Sequence, residues 1–506
     1  MVSLESFNSW HSNWQELRVG VIGLGVTGFS VADTLAELGA KQLVVAEKAE
    51  ADLLDILNVL GVEHVTGDAA KGASSSVPGV PQQLIDFAPD VLVTSPGVRP
   101  DSPLIQWAVE NSIDVWVDID LAWRLRDKSG TPAAWLCITG TNGKTTTTQL
   151  TEAMLLAGGL RAMACGNIGT PILDAIRVPD GLDALVVELS SFQLHYLGQI
   201  SPVSSAVLNL ADDHLDWHGG FDAYKAAKGK VYEQTKIACV YNVQDSATES
   251  LVENADVVEG ARAIGFTLGV PGRSQVGYVE EFLVDRAFLE DRSQALEVAE
   301  IADIERIGVV TPHLLANVAA ATALARSVGV QPQEIQSAIQ NFKLDGHRIE
   351  LVAEHGGVRW FDDSKATNPH ATAASLSSFD SVVWIAGGLL KGVDVAPLVE
   401  RFAKKLSAVV VIGADREPVL QALASKAPQV PVFEVNESDN SMVMAKAIEF
   451  AGAAAKPGDT VLLAPAAASM DQFKDYADRG NQFAGAVKLW LADRLATEQG
   501  GQTDVE

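Results

Sequence analysis

CITGTNGKTTTTQL, residues 137–150, reads as a phosphate-binding loop between a buried strand and a helix. Gly140 and Gly143 permit a tight turn that turns backbone N–H groups, those of Thr141 and Asn142 among them, toward an anion. Lys144 can neutralise the outer phosphates, and the hydroxyl of Thr145 or Thr146 can hold Mg²⁺. The general pattern asks for one more glycine where Ile138 stands, so an ordinary Gly/Thr-rich turn is the competing reading. The strand–loop–helix reading predicts an α/β chain that spends or senses a nucleoside triphosphate.

Strand–helix alternation extends outward in both directions. The 506 residues leave room for two to four domains. In residues 1–132, LRVGVIGLG, KQLVVAE and DVLVTSPG read as strands, with helices near Phe29 to Leu38 and Leu104 to Glu110. A charged run, Arg124 to Lys128, then Ser129, Gly130 and Pro132, marks a boundary, and Ala70 to Pro81 reads as a surface loop. Residues 133–343 hold the opening motif, the strands ALVVELSS, SSAVLNL and KIACVYN, short strands over Ile264 to Arg286, and a packed Ala-rich helix from His313 to Val328. Residues 344–506 contain VRWFDDSKATNPHA, SVVWIAGG, AVVVIGA and DTVLLAPAAAS. The expected architecture is three α/β domains with parallel, doubly wound sheets, whose ligands sit beyond the carboxyl ends of the strands.

Composition narrows the function. Lys plus Arg total 37 against 65 Asp plus Glu, a formal charge of -28, which argues against non-specific nucleic-acid binding. Three cysteines, Cys137, Cys165 and Cys239, lack metal-ligand spacing, and Cys137 and Cys239 read as small buried hydrophobes in a reducing compartment. The N-terminus has no basic segment before an apolar run, and no stretch reaches the length of a membrane span. A soluble, cytoplasmic protein is expected.

Several strand ends carry candidate chemistry. Gly23, Gly25 and Gly28 form GLGVTG after a strand, with Glu47 at the end of the next. This fits NAD, another nucleotide diphosphate, or mere packing. Glu188 closes a strand where a carboxylate can reach metal-bound phosphate or simply face solvent. NLADDHLDWHG gathers Asn209, Asp212, Asp213, His214 and Asp216, a set able to support Mg²⁺, orient a substrate, or form a polar loop. Lys225 and Lys228 follow, ordinarily exposed lysines. His347 and Arg348 precede Asp362, Asp363, Ser364, Lys365, Thr367 and Asn368, a mix suited to a polyanion or to a structural turn. Lys391, Ser469 and Tyr476 lie in later loops. On these motifs alone an ATP-dependent amide ligase, an NAD-dependent dehydrogenase and a nucleotide-binding regulator all remain open.

Taken in order, GLGVTG, TSPG, GTNGKTT, GNIG, ELSSFQL, DDHLDWHG, YKAAK, HRIE, DDSKATN, GGLLKG and SMDQFKDYADRGNQF resemble the Mur ligase family over nearly the whole chain. The resemblance implies a Rossmann-like UDP-binding domain, a central P-loop ATPase-like domain and a Rossmann-like C-terminal domain. DDSKATN is the discriminating segment, since relatives that add alanine or a diamino acid carry a DYAH-type segment there. The implied reaction adds D-glutamate to UDP-N-acetylmuramoyl-L-alanine with ATP, through an acyl phosphate, giving ADP and phosphate. Its implied setting is peptidoglycan precursor synthesis, and with it cell-wall biogenesis, cell shape and cell division, in a cytoplasmic monomer.

The resemblance also assigns roles residue by residue. Gly25, Val26, Thr27, Glu47, Ser95, Pro96, Gly97 and Asn167 would meet the UDP substrate, though Ala46-Glu47 departs from the Asp-Thr common at the uracil. Lys144 would hold the β- and γ-phosphates. Thr145 and Glu188 would ligate one Mg²⁺, while His214 and a CO₂-derived carbamate on Lys228 would serve a second. Asn317 would contact the adenine side, and Arg348, Asp363 and Lys365 would complete the ATP site, with His347 nearby. Thr367, Lys391, Ser469 and Tyr476 would surround D-glutamate, and domain closure would exclude water.

Overall fold

A computed structural model describes residues 3–500 apart from 74, 292, 345 and 391. Its three sheets each begin a new run of the chain. The first contains β1 (Arg18–Ile22), β2 (Lys41–Ala46), β3 (Glu63–Thr66), β4 (Val91–Thr94) and β5 (Asp114–Trp116), all parallel, in the order β3-β2-β1-β4-β5. Successive side chains of a strand point to opposite faces, and both faces here are apolar. Val19, Val21, Val44 and Val93 pack with Val31, Ala32 and Leu35 of the helix Val26–Leu38. Ile22, Leu43, Val45 and Leu92 pack on the other side with Leu84, Leu104 and Ile105.

The glycines after β1 have unequal duties. Gly23 takes φ +93°, and a Cβ added at Gly28 would lie 2.0 Å from the Gly23 carbonyl oxygen. The third glycine therefore lets the helix seat directly on the turn. Gly25 caps that helix and a Cβ there would meet nothing within 4 Å. The helix begins at Val26, three residues before the expected start, because this close seating brings Val26 and Thr27 into its first turn.

The second sheet holds β6 (Ala134–Thr139), β7 (Ala162–Gly166), β8 (Ala184–Glu188), β9 (Ser204–Val207), β10 (Ala238–Asn242), β11 (Arg262–Phe266), β12 (Gln275–Val279), β13 (Phe282–Asp285) and β14 (Leu296–Glu300). Its order is β14-β13-β12-β11-β10-β9-β6-β8-β7. The pairs from β7 to β12 are parallel, while β12, β13 and β14 run antiparallel to one another. The Ala-rich segment is the helix Pro312–Ser327, with Ala319, Ala320, Ala321, Ala323 and Ala325 buried. All three cysteines are buried and free.

The third sheet holds β15 (Glu350–His355), β16 (Val358–Asp362), β17 (Val382–Ala386), β18 (Leu406–Val411), β19 (Val432–Glu434) and β20 (Thr460–Leu463), in the order β15-β16-β20-β17-β18-β19. Only β15 runs antiparallel to its neighbour. Val382, Trp384, Val409 and Leu462 form one face of its core, and Val383, Ile385, Val410 and Val461 the other. The sheet order sets the ends of β16, β20 and β17 side by side, so DDSKATN, PAAAS and GGLL emerge together at one edge.

The chain gathers into two compact units. Met1–Leu210, Asp222–Ile301 and Ala316–Gln340 make one, with the first two sheets. Ala211–Phe221, Ala302–Leu315 and Asn341–Glu506 make the other, with the third. Among the described residues no helix is long and apolar enough to cross a membrane.

Gly28→Ala should cost about 1–3 kcal/mol through overpacking, while Gly25→Ala should stay within about 1 kcal/mol of the parent, the scale of a cap change. Urea denaturation of both variants checks the contrast, and equal losses would refute it.

Candidate functional site

The parallel register places Ile138 of β6 beside Glu188 of β8, and the two strands release their loops at the same end. After β6 the chain turns through Gly140 and Gly143, the latter at φ +82°, into the helix Lys144–Ala157. A Cβ at Gly143 would lie 2.3 Å from Asn317 Oδ1, so glycine allows the Asn317 side chain to press on the loop. Asn209 clamps the same loop. Thr141 N donates to the Asn209 carbonyl (2.9 Å), Asn142 N to Asn209 Oδ1 (2.9 Å), and Asn209 Nδ2 to Asn142 O (3.0 Å). Thr141 Oγ1 and the Tyr224 hydroxyl are 2.8 Å apart. Thr145 and Thr146 are buried in the first turn.

Two lysines converge on this loop. Lys144 Nζ donates to the carbonyls of Gly140 and Thr141, each at 3.0 Å. Lys228, from the helix Phe221–Gly229, is 2% exposed and donates to Gly140 O (2.8 Å) and Thr139 Oγ1 (3.1 Å). Its ammonium lies 5.0 Å from the Tyr224 ring centroid. The expectation of an ordinary exposed lysine fails at Lys228 because the helix end turns it into the sheet.

Glu188 is 2% exposed. Its Oε1 accepts from Asn167 Nδ2 (2.9 Å), and its Oε2 is buried without a hydrogen-bond partner among the described residues. A buried carboxylate oxygen left open is costly unless a cation or donor meets it, so the residues present fit a divalent cation. The solvated-strand-end alternative does not hold. In the residues that follow, Ser190 and Gln193 form a capping box, and Gln193 Nε2 donates to Asp118 (3.1 Å). Burial pushes the Asp118 carboxyl up to about 6, and Asp120, which accepts from Val117 N and Gly198 N, also to about 6.

In the first sheet, Gly25, Val26 and Glu47 are exposed, while Thr27 is half-buried. Ser95 and Pro96 are half-buried and Gly97 exposed, beyond β4. Gly23 and Ser95 meet, since a Cβ on Gly23 would lie 2.4 Å from Ser95 Oγ. The GLGVTG and TSPG loops therefore share one end of β1 and β4, where the strand order reverses.

In the unit of the third sheet, His214 takes φ +54° at the start of a short helix, with Nε2 3.6 Å from Asp213 Oδ1. Asp363 is buried, accepts from the Ser375 hydroxyl, and is pushed up to about 6 by desolvation against the pull of Arg348. His347 Nδ1 lies 2.6 Å from Asp362 Oδ2, and burial holds the Asp362 carboxyl above its ordinary range. Lys365 Nζ lies 5.0 Å from the Tyr476 ring centroid. Thr367 is half-buried, Ser469 buried, and Lys391 lies outside the described residues. Arg479, which motif reading left without a role, is fully buried and donates to Ser364 Oγ (2.9 Å), Ser364 O (2.8 Å) and Ala467 O (3.1 Å). Asn209, read from the sequence as part of a metal, substrate or polar-loop cluster, clamps the phosphate-binding loop.

This arrangement matches known proteins. The Mur ligase middle domain matches residues 138–325, and the Mur ligase glutamate ligase domain residues 347–467. The UDP-N-acetylmuramate–alanine ligase of Thermotoga maritima covers 94% of this chain and 100% of its own at TM-score 0.53. At 17% identity that likeness concerns the fold. The chain belongs to the Mur ligase family, and its three sheets with their helices are the three α/β domains of that fold. Within the family it is similar to the UDP-N-acetylmuramoylalanine–D-glutamate ligase of Leifsonia xyli subsp. xyli, 54% identical over 500 residues, 96% of this chain and 95% of the relative. The ligase of the same name from Streptomyces avermitilis is 49% identical over 482 residues, 94% of this chain and 99% of the relative.

Asp118 carries a pH signature. Its carboxyl rises from an ordinary 3.8 to about 6 on folding, so the unfolded chain ionises first. Stability should therefore fall as pH climbs from about 4 to about 6 and stay lower above it. Asp118→Asn keeps an acceptor for Gln193 and removes the charge. Relative to the parent it should gain up to about 3 kcal/mol between pH 4 and 7. Chemical denaturation across that range checks this, and parallel profiles would refute it.

Proposed function

We propose that this chain joins D-glutamate to UDP-N-acetylmuramoyl-L-alanine with ATP, giving ADP and phosphate, in cytoplasmic peptidoglycan precursor synthesis. The observation that carries the reading is the loop Gly140–Lys144 emerging beside Glu188, with an open buried carboxylate oxygen, in a chain similar over its whole length to D-glutamate ligases. The proposed domains are 1–132 for the UDP substrate, Rossmann-like, 133–343 for ATP, P-loop-like, and 344–506 for D-glutamate, Rossmann-like.

The chemistry follows from charge. A carboxylate is a poor acyl donor because oxide is a poor leaving group. The carboxylate of the substrate's L-alanine attacks the γ-phosphorus, and the bond to the ADP oxygen breaks. Lys144 leaves its resting carbonyls to meet the phosphates, while the N–H groups of Thr141 and Asn142, expected to face the anion, are held by Asn209. The neutral amine of D-glutamate then attacks the acyl carbon, phosphate leaves with the bonding pair, and the amine loses a proton. Thr145, Glu188, His214 and a carbamylated Lys228 are the proposed holders of two Mg²⁺ ions. Bound Mg²⁺ offsets the negative charge that spreads over the transferring phosphoryl oxygens. Asn317, Arg348, Asp363 and Lys365 are assigned to ATP. Gly25, Val26, Thr27, Glu47, Ser95, Pro96, Gly97 and Asn167 are assigned to the UDP substrate. Thr367, Lys391, Ser469 and Tyr476 are assigned to D-glutamate.

The test is amide product from UDP-N-acetylmuramoyl-L-alanine and ATP with D-glutamate, L-glutamate, L-lysine or meso-diaminopimelate at equal concentration. Product should form with D-glutamate in clear preference. Preference for another amino acid would reject the substrate, and reduction of a nicotinamide without amide formation would reject the class.

Lys228 should act as a carbamate. Burial against Thr139 and Gly140 gives its amine one fixed position beside the loop. CO₂ adds to the neutral amine, an N–C bond forms, and a proton leaves. Lys228→Ala should lose roughly 10²–10³ in rate, the scale of a lost electrostatic group, with partial rescue by small carboxylic acids. Full activity of Lys228→Ala or Lys228→Arg without added acid would overturn the role.

A further inference from the structure

The pair His347–Asp362 has geometry that no role above uses. His347 sits at φ +67° and Ile349 at φ +46°, left-handed conformations that non-glycine residues adopt at a cost. The strain is held by bonds on every side. His347 N donates to Glu350 Oε2 (2.9 Å), and His347 O accepts from Lys365 N (3.3 Å). The ring's Nδ1 meets Asp362 Oδ2 at 2.6 Å, and Asp362 Oδ1 accepts from Ser364 N at 2.9 Å. Asp362 is 1% exposed as a side chain, His347 16%. Both carboxylate oxygens are thus used inside the protein, while the His347 ring keeps some exposure and stands edge-on to the Tyr476 ring at 6.5 Å between centroids.

Gly480 is part of the device. A Cβ there would lie 2.2 Å from His347 Nδ1 and 2.6 Å from Asp362 Oδ2. Glycine at this helical position leaves just enough room for the hydrogen bond. Arg479, the residue before it, ties the helix to Ser364 and Ala467, so the space is defined by a rigid neighbour.

His347, Glu350 and Asp362 also have the residue types of a metal site. The nitrogen and oxygen on one tetrahedral ion stand about 3.3 Å apart, given metal–ligand distances of about 2 Å. At 2.6 Å, Nδ1 and Oδ2 share a proton rather than an ion.

We propose that Asp362 is a positioning residue for nucleotide binding: its buried carboxylate holds the proton on Nδ1 of His347 and fixes the ring so that Nε2 faces the ligand. This rests on the reading that Arg348 and Lys365, which flank the pair, serve ATP. The same holds for histidines elsewhere, whose free nitrogen is set by the bond the other nitrogen makes.

The experiment uses full-length protein with ¹⁵N-labelled histidine and two variants, Asp362→Asn and Gly480→Ala. The His347 signal is identified by its loss in His347→Gln. In the parent, Nδ1 should carry the proton. In Asp362→Asn, whose amide can donate or accept, the tautomers should mix. Calorimetry at a temperature where all the proteins are folded should find ATP binding about tenfold weaker in both variants, with the KM for D-glutamate unchanged within twofold. Gly480→Ala tests positioning with both members of the pair chemically intact, because its methyl displaces the ring. Asp362→Asn combined with His347→Gln should be no worse than His347→Gln alone.

Parent-like ATP affinity in both variants, a parent His347 protonated on Nε2 alone, or equal losses toward ATP and D-glutamate with a lowered Tm would each overturn the inference. If the parent forms the amide product, such a result counts against Asp362 alone. If the parent neither binds ATP nor forms product, the functional reading falls and the nucleotide role of Asp362 falls with it. The tautomer spectrum then still decides whether Asp362 holds the ring.

Discussion

One carbonyl oxygen carries the central tension of the molecule. Gly140 O accepts from Lys144 Nζ at 3.0 Å and from Lys228 Nζ at 2.8 Å. Two ammonium groups on one neutral acceptor repel each other, and little water reaches Lys228 to screen them. The arrangement is stable only because the loop beneath it is tied down by Asn209, Tyr224 and the packing of Asn317 on Gly143. Such a site favours anything that brings negative charge: a triphosphate at Lys144, or a carbamate built on Lys228 itself. The open oxygen of Glu188 is the matching deficit of positive charge, one strand away. Opposite deficits in neighbouring positions are what a metal-nucleotide complex resolves together.

Strand order decides where those deficits meet. β6 lies between β8 and β9, so the loop after β6 is flanked by Glu188 on one side and Asn209 on the other. The same rule acts in the first sheet, where Gly23 and Ser95 touch across β1 and β4. It acts again in the third, where DDSKATN and PAAAS leave adjacent strands. In all three, the candidate site residues sit at carboxyl ends where the backbone must turn sharply, and glycine or left-handed residues appear there.

Much of this was legible in the chain. Apolar runs such as LVVA, ALVVE and VVWIA mark strands buried on both faces, and the Gly-rich loops after them locate the ligand edges. The short edge strands β3, β5, β7, β14, β15 and β19 were not read, because they are three to six residues long and partly exposed, so their apolar pattern is weak. The burial of Lys228 was invisible to composition, since it depends on the helix Phe221–Gly229 delivering its last turn into the sheet. Arg479 was hidden for the opposite reason: a charged residue in DYADRGNQF looks exposed until Ser364 and Ala467 supply three acceptors in the interior. Side chains that serve other side chains leave no periodic trace.

The formal charge of -28 has to be reconciled with a proposed ATP and UDP chemistry. Charges on a surface in physiological salt are screened over about 8 Å. A phosphate entering the loop therefore feels Lys144 and the N-terminus of the helix Lys144–Ala157 far more than the remote carboxylates. Three of the acidic groups are also not ordinary surface charges. Asp118, Asp120 and Asp363 are buried, each with its carboxyl pushed up to about 6, so each holds its proton more readily than a solvated carboxylate. The acidity of the chain is thus largely a property of its outer surface, where it opposes self-association. The sites are governed instead by which donors and acceptors the three sheets leave unmatched.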